Sequence, residues 1–348
     1  MALPTIDATP LLLGTDTGAA SEELTRALCE RGFAYVTLRD GAGEELEATA
    51  SSLFVEARGF FAEPEATKRK CDMRKAGRAW RGFFGVGDEL TSGKPDLKEG
   101  LYFGLDTEPG RLMHGSNLWP EGHPKLRVAV EAYMKSMNDF GFALMRGLAV
   151  GLGQAPDYFE ESFSPSPHAL FRIFRYPADP TGSQERGETF GVGRHTDYGA
   201  LTLLKLEDGA QGLEVEDRLS GEFVPVPSVP KTWVVNVGDA LQVVTGNRLR
   251  ATPHRVRMPA SAEDRLSAPY FFDPAFDAAL RPMPGVELPS AEGDGVGFDG
   301  SVFARLAREA SASGGAVVWG DYVTAKIGKV FPELAAEAHA NKHNTVPP

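Results

Sequence analysis

Two histidines and one aspartate have the residue types of a site for a single metal ion. His195 and Asp197 are separated by one residue, and His254 follows much later in the chain. Two imidazoles and one carboxylate are the ligand set of mononuclear non-haem iron enzymes, and they leave about three positions of an octahedral ion open. A closed zinc site would use four ligands, usually including thiolates, and Cys29 and Cys71 lie far from His195 in sequence. The ligand set therefore predicts an iron site that is open to a chelating cosubstrate and to dioxygen.

Extended strands are the elements that would position these ligands. On a strand, residues i and i+2 point to the same face, whereas on a helix they diverge by roughly 200°. His195 and Asp197 are followed by the segment ALTLLKL at residues 200–206, which is rich in strand formers. His254 lies in the segment ATPHRVRM at residues 251–258, which also has strand character. We therefore expect a second strand to bring His254 across to the other two ligands.

A cationic side chain and a hydroxyl follow the second histidine. Arg265 and Ser267 lie a short distance beyond His254 in the chain. A guanidinium pairs bidentately with a carboxylate, and a serine hydroxyl adds a further donor. An isolated His-x-Asp pair on a protein surface would need neither a second histidine nor an anion anchor, so chance is a poor explanation of the pattern.

Further motifs extend over most of the chain. They are HTDYG at residues 195–199, LTLL at 201–204, QGLEV at 211–215, VNVGD at 235–239, HRV at 254–256 and RLSAPYF at 265–271. In these motifs the sequence resembles the isopenicillin N synthase-like group of Fe(II)/2-oxoglutarate-dependent oxygenases. The resemblance implies that His195, Asp197 and His254 bind Fe(II), and that Arg265 and Ser267 hold the distal carboxylate of 2-oxoglutarate. It also implies a double-stranded β-helix, or jelly roll.

The segment FRIFRYP at residues 171–177 contains further candidate contacts to the cosubstrate. Plant members of the family have an asparagine that contacts the cosubstrate where Phe174 stands, so that contact is in doubt here. Bacterial relatives, including the ethylene-forming enzyme, resemble this chain in having an arginine at the position of Arg172. Because Arg172, Phe174 and Tyr176 would share one face of a strand, we expect Arg172 to meet the carboxylate at the iron end. Tyr176 joins it as a candidate cofactor-binding residue, and the alternative for Arg172 is an ordinary strand arginine.

The order of patterns along the chain predicts a mixed α/β protein in three regions. Residues 1–164 are expected to form an N-terminal α/β region of the non-haem dioxygenase type. Residues 165–285 contain short β-branched and apolar runs separated by turns, which favours a β-sandwich or barrel, the jelly-roll core of the resemblance. Residues 286–348 are expected to form C-terminal helices packed on that core.

Individual elements can also be predicted from periodicity. The N-terminal region has helical patterns near residues 22–30, 44–61 and 126–152, and a strand pattern at 32–38. The C-terminal region has two helical patterns, at residues 301–311 and roughly 322–340. Two loops are candidates for the rim of the site. In residues 91–104, Tyr102 or Phe103 would touch substrate, and the alternative is that this segment only crosses between subdomains. Residues 179–190 would form either a lid or a plain surface loop.

Composition narrows the classes of partner. The 348 residues have a formal net charge of −12, which disfavours nucleic acid and anionic membrane surfaces. The longest apolar stretch, residues 140–152, is shorter than the ~20 residues of a membrane helix, and the N-terminus lacks the pattern of a signal peptide. Two cysteines give no disulfide framework. We therefore expect a cytoplasmic protein that is a monomer or weak homo-oligomer and acts on a small molecule.

The predicted activity is oxidation of a small organic molecule by Fe(II), 2-oxoglutarate and O2, with release of succinate and CO2. Hydroxylation, desaturation and cyclisation all remain possible outcomes. An alternative is an oxidase of the same fold that does not consume 2-oxoglutarate, because isopenicillin N synthase and a plant ethylene-forming oxidase also have Arg-x-Ser. A metal-dependent hydrolase would use the same three ligands to activate water. A non-catalytic jelly-roll protein would not need these ligands together with Arg265.

Overall fold

A computed structural model describes residues 3–90, 94–163, 165–178, 190–258, 263–286 and 316–330, with side chains described as far as Lys326. The strands are β1 (Thr5–Asp7), β2 (Phe33–Thr37), β3 (Gly82–Phe84), β4 (Glu99–Gly104), β5 (His168–Tyr176), β6 (Val192–His195), β7 (Leu201–Leu206), β8 (Leu213–Glu216), β9 (Phe223–Pro225), β10 (Thr232–Val237), β11 (His254–Val256) and β12 (Arg265–Asp273). The α-helices are α1 (Thr9–Leu13), α2 (Thr17–Glu30), α3 (Asp40–Phe61), α4 (Glu65–Lys68), α5 (Pro124–Gly151), α6 (Asp239–Val244) and α7 (Trp319–Val330).

Two β-sheets form the jelly roll. In the described part of the chain, the larger sheet has eight strands in the order β1-β2-β10-β7-β12-β5-β4-β3. The smaller sheet has four strands in the order β6-β11-β8-β9. Pairing is antiparallel except between β1 and β2, which run parallel. The N-terminal strands β1 to β4 therefore extend both edges of the larger sheet instead of forming a separate sheet.

Alternation along β12 shows how the larger sheet divides the core. Leu266, Tyr270 and Phe272 are fully buried and belong to the cluster that packs under the helices. Ser267 and Phe271, one residue out of phase, point to the opposite face. That face belongs to the second apolar cluster, which lies between the two sheets. One face of each long strand thus packs against helices, and the other lines the interior of the roll.

The helix α5 packs across the helical face of the larger sheet. Gly141 lies against β12 so closely that a β-carbon there would stand 2.5 Å from the ring of Phe272. The indole nitrogen of Trp233 donates a hydrogen bond to the Tyr133 hydroxyl over 3.3 Å, which joins β10 to α5. Burying a phenylalanine side chain contributes roughly 1.5–3 kcal/mol to the free energy of folding. The contact between α5 and β12 therefore helps to hold the strands of the larger sheet in place.

Most predicted elements are found, with shifted ends. The strand expected at residues 32–38 is β2, and the helices expected near 22–30, 44–61 and 126–152 are α2, α3 and α5. The helix expected from residue 322 is α7, which begins at Trp319 and is described as far as Val330. The helix predicted at residues 301–311 lies outside the described residues. None of the described helices has the length and apolar character needed to cross a bilayer.

Candidate functional site

Strand pairing brings the three predicted metal ligands together. His195 ends β6, His254 begins β11, and the two residues are direct partners in the smaller sheet. The Nε2 atoms of both histidines lie 3.7 Å from Oδ1 of Asp197. One ligand atom from each residue lies within 4.8 Å of the others. This spacing allows all three side chains to bind the same ion.

The local structure of Asp197 differs from the expected strand. The strand β6 ends at His195, so Asp197 lies just beyond it. The carbonyl oxygens of Asp197 and Tyr198 accept hydrogen bonds from the backbone nitrogens of Asp239 and Ala240 at the start of α6, at 2.8 and 3.0 Å. These bonds replace a strand ladder and turn the chain, yet Asp197 still points toward the two histidines.

Backbone carbonyl groups fix the orientation of both imidazoles. Nδ1 of His195 donates to the carbonyl of Gly193 at 2.8 Å, and Nδ1 of His254 donates to that of Thr252 at 3.2 Å. A carbonyl only accepts, so each hydrogen is on Nδ1 and each Nε2 keeps a free lone pair. Such hydrogen bonds commonly set the tautomer of metal-binding histidines.

The two carboxylate oxygens of Asp197 have different partners. Oδ2 accepts hydrogen bonds from the Thr202 hydroxyl and from the Asn236 amide, the latter over 2.7 Å. Oδ1 is therefore the oxygen that faces the histidines. Thr202 and Asn236 lie within motifs visible in the sequence, LTLL and VNVGD, but nothing in their spacing predicted this contact.

Electrostatics place His195 and Asp197 in their metal-binding forms. Burial, followed by the nearby His254, lowers the pKa of His195 to about 4, so His195 is neutral at pH 7. Burial alone would raise the pKa of Asp197, but the two histidines and its hydrogen bonds hold that pKa below its usual value. A neutral imidazole and an ionised carboxylate are the forms that bind a metal.

A cavity of about 130 Å³ lies between the sheets beside the ligands. It is lined by the ligands themselves, by apolar side chains that include Phe33, Phe174 and Phe271, and by the ionisable residues Glu89, Lys98, Arg172 and Asp273. A mostly apolar cavity with a few convergent polar groups is typical of a small-molecule site.

The predicted carboxylate anchor lies on the same interior face. Arg265 and Ser267 alternate in phase with Phe271 on β12. The guanidinium carbon of Arg265 lies 3.9 Å from the ring centre of Tyr176, and the Ser267 and Tyr176 hydroxyls are hydrogen-bonded. Among the described residues, Nη2 of Arg265 is buried without a hydrogen-bond partner. A buried guanidinium with an unused donor beside two hydroxyls fits the carboxylate of 2-oxoglutarate.

Arg172 lines the same cavity as the metal ligands. Its guanidinium carbon lies 4.2 Å from the ring centre of Tyr102, and Nη1 lies 3.6 Å from Oε1 of Glu89. Burial alone would lower the pKa of Arg172, but Tyr102 and Glu89 raise it above its usual value. Tyr198 and Asp197 act in the same direction. The side chain is thus a cation close to the metal ligands.

A buried cluster of charged side chains, which no sequence motif indicated, lies beside Arg172. Nζ of Lys98 lies 2.6 Å from carboxylate oxygens of both Glu89 and Asp96. Oε1 of Glu89 accepts a hydrogen bond from the Tyr102 hydroxyl at 2.5 Å. Burial alone would raise the pKa of Glu89, but Lys98 and then Arg172 lower it to about 2. Glu89 is therefore ionised beside the cavity.

Of the two loops predicted at the rim of the site, only the one at residues 91–104 can be compared with the structure in any detail. Tyr102 lies behind Arg172 and not on the cavity wall, and Phe103 stacks on Trp119 in the helical core at a centroid distance of 5.0 Å. Neither side chain lines the cavity, which agrees with the alternative that this segment only crosses between subdomains. The proposed lid at residues 179–190 lies outside the described residues except for Phe190.

Two family models match the chain. Residues 167–274 match the 2OG-Fe(II) oxygenase superfamily. Residues 3–122 match the non-haem dioxygenase in morphine synthesis N-terminal family. The first match contains all three candidate metal ligands and the Arg-x-Ser anchor.

Curated relatives agree with these matches. A probable iron/ascorbate oxidoreductase of Dictyostelium discoideum is 32% identical, with 90% of this chain and 89% of the relative covered. A homoarginine-6-hydroxylase of Glycine max is 33% identical, with 81% of this chain and 88% of the relative covered.

A solved structure agrees as well. A full-length Neurospora crassa protein in complex with alpha-KG, which is 2-oxoglutarate, is 25% identical with a TM-score of 0.71. The alignment covers 87% of this chain and 95% of that one. The alternatives without 2-oxoglutarate or with hydrolytic chemistry are not favoured by these similarities. The chain therefore belongs to the 2OG-Fe(II) oxygenase superfamily, as an oxidoreductase that uses Fe(II), 2-oxoglutarate and O2 to oxidise a small molecule.

Proposed function

We propose that this oxygenase binds Fe(II) through His195, Asp197 and His254. The observation that supports this assignment most directly is the approach of both Nε2 atoms to the same oxygen, Oδ1 of Asp197, at 3.7 Å. The tautomers of both histidines and the hydrogen bonds on Oδ2 leave three lone pairs directed to one place. Three ligands on one side of the ion leave positions for cosubstrate and dioxygen.

The cosubstrate would lie between two arginines. Arg265 and Ser267, with Tyr176 packed against the guanidinium, would hold the distal carboxylate, because Nη2 of Arg265 is buried without a partner among the described residues and stands beside two hydroxyls. Arg172 would face the carboxylate at the iron end, since its electrostatic partners include Asp197. When bound, iron and 2-oxoglutarate supply the oxidising chemistry with O2, and succinate and CO2 are released.

The reaction outcome we favour is hydroxylation of a saturated carbon. The relative from Glycine max is named a homoarginine-6-hydroxylase, and the apolar part of the cavity wall would hold a carbon chain beside the ligands. Glu89 and Arg172 would meet polar groups of the substrate. Desaturation and cyclisation require the same site with a different placement of the substrate carbon.

Two broader assignments belong to the same proposal. We assign residues 1–164, 165–285 and 286–348 to the N-terminal region, the jelly-roll core and the C-terminal helices, supported by family matches over 3–122 and 167–274. A cytoplasmic location is supported by the presence of only two cysteines, Cys29 and Cys71, both free.

A titration without substrate tests the residue roles. Fe(II) is added anaerobically, 2-oxoglutarate is titrated, and the visible absorption of iron-bound 2-oxoglutarate is recorded. Wild type is expected to give a saturable band. Arg265→Gln should bind 2-oxoglutarate roughly 10- to 100-fold more weakly, as expected for a charge-assisted pair worth about 1.5–3 kcal/mol. Asp197→Ala should give no band, because one of the three iron ligands is lost.

The matched control is Arg127→Gln, whose side chain pairs with Glu131 on the exposed face of α5 at 2.8 Å. It should titrate like wild type. Unchanged 2-oxoglutarate affinity in Arg265→Gln would contradict the anchor, and full iron binding in Asp197→Ala would contradict the metal assignment.

A further inference from the structure

A second cavity lies next to the start of β5 and the end of β12. Its volume is about 150 Å³, and its lining includes Arg81, Met113, His114, His168, Phe276 and Asp277. No residue that lines it also lines the cavity at the metal ligands. The two cavities are nevertheless neighbours, because His168 pairs with Asp273 across β5 and β12 and Asp273 lines the first.

Arg81 brings a positive charge to this cavity without an ion-pair partner among the described residues. The residue is 1% exposed. Its Nη2 atom donates to the carbonyl of Met113 at 3.2 Å, whereas Nε and Nη1 have no hydrogen-bond partner in the described part of the chain. The guanidinium packs on the backbone of Gly104, where a β-carbon would stand 2.1 Å from Nη2. A charge that is buried without a partner is energetically unfavourable.

The guanidinium remains charged despite its burial. Burial lowers the pKa of Arg81 to about 10, and Asp106 opposes that shift. At neutral pH the side chain is therefore a cation with unused N–H donors. Buried arginines are ordinarily paired with an anion.

His168 adds a third unused donor. The indole nitrogen of Trp319 donates to Nδ1 of His168 over 3.4 Å. Because an indole N–H only donates, the hydrogen of the neutral imidazole is on Nε2, and Nε2 is buried without a partner among the described residues. Burial, and then Arg81 and His114, lower the pKa of His168 to about 3, so the ring is neutral.

The acidic residue at this cavity does not complement these donors. Asp277 has a side chain that is 75% exposed, and its two oxygens accept hydrogen bonds from Arg111 at 2.8 and 2.5 Å. The cavity therefore combines donors from Arg81 and His168 with apolar walls from Met113 and Phe276. Its chemical complement is an anion with an apolar body.

We propose that this second cavity is a binding site for a small monocarboxylate, whose oxygens accept hydrogen bonds from Arg81 and from Nε2 of His168. A carboxylate suits the site better than a phosphate, because one guanidinium and a neutral imidazole balance a single negative charge. A cavity of about 150 Å³ accommodates a molecule the size of benzene, so a carboxylate with a few carbons fits.

Calorimetric titration of the full chain with butyrate tests the site. The reference protein is the metal-free Arg172→Gln/Arg265→Gln variant, which lacks the anion anchors of the first cavity. Saturable binding of one butyrate per chain is expected in this background, with weaker binding of inorganic phosphate. Adding Arg81→Met should abolish butyrate binding, and adding His168→Phe should weaken it roughly tenfold through loss of one hydrogen bond to a charged group.

Thermal unfolding gives an independent measurement on the same variants. Butyrate should raise the unfolding temperature of the reference protein but not that of the Arg81→Met form. If Arg81→Met fails to fold, the butyrate affinity of His168→Phe relative to the reference protein decides whether the proposal stands. No saturable butyrate binding in the reference protein, or equal binding with Arg81→Met, would overturn the proposal. Tighter binding of phosphate than of butyrate would overturn the choice of a carboxylate.

Discussion

At the scale of single residues, hydrogen bonds within the protein fix the orientation of all three candidate metal ligands. Each histidine donates Nδ1–H to a backbone carbonyl, and Asp197 commits Oδ2 to Thr202 and Asn236. The remaining lone pairs converge on one place. Much of the affinity for iron should therefore depend on residues that do not touch the ion.

Removing the donors to Oδ2 tests this dependence. Asn236→Ala and Thr202→Val should each weaken Fe(II) binding roughly 10- to 100-fold, because Asp197 is then free to rotate away from the histidines. The measurement is an anaerobic competition titration against a coloured chelator. Asn117→Ala, which removes hydrogen bonds to Gly104 and Asp106, is the control and should bind iron like wild type. Wild-type affinity in both test variants would exclude a positioning role.

At the scale of elements, the turn after β6 depends on close packing against the end of β12. A β-carbon at Gly199 would stand 1.4 Å from Oδ1 of Asp273, the same oxygen that accepts a hydrogen bond from the backbone nitrogen of Ala200. A β-carbon at Gly238 would stand 2.3 Å from the carbonyl oxygen of Gly199. The turn that presents Asp197 is thus packed from two sides.

A double-mutant cycle tests the contact between Gly199 and Asp273. Gly199→Ala should lower the free energy of unfolding by about 1–3 kcal/mol or more, because the carboxyl group must move. In the Asp273→Ala background the same change should cost less, with a coupling energy of about 0.5–3 kcal/mol. Urea unfolding of the metal-free proteins measures both. Gly59→Ala in α3, which meets nothing within 4 Å, should instead be neutral or stabilising by up to about 1 kcal/mol. If the two losses of unfolding free energy were strictly additive, the contact between Gly199 and Asp273 would not constrain the turn.

The sequence predicted the residue types of the site and the strand at His254. The expected strand position of Asp197 is wrong, because Asp197 lies beyond β6 and its backbone is bonded to the start of α6. Asn236 bonds Asp197 across 39 positions of the chain, and such a contact is set by the packing of β10 beside β7. Likewise, Glu89 and Lys98 line the cavity from the segment that precedes β4, and β4 pairs with β5. The contacts of Asn236, Glu89 and Lys98 depend on long-range strand pairing, which no local pattern reports.

At the scale of the whole molecule, the N-terminal region and the roll share one sheet. The strand β2 pairs with β10, and β4 pairs with β5, so strands from before α5 hydrogen-bond directly to strands after it. The helix α5 then packs on α2 and α3 as well as on β12. Neither part has a complete sheet without the other, and we expect them to unfold together.

Hydrogen exchange at increasing denaturant tests this cooperativity without mutation. The amide protection of β2 and β4 should disappear with that of β5, β7 and β12, because these strands are bonded to one another in the same sheet. The edge strand β1, which has β2 as its only partner among the described strands, is the internal comparison and should lose protection earlier. Earlier loss in both β2 and β4 would show that the N-terminal region opens by itself. Because Glu89 and Lys98 reach the first cavity from that region, such opening would also expose the site and make its affinity for substrate depend on local unfolding.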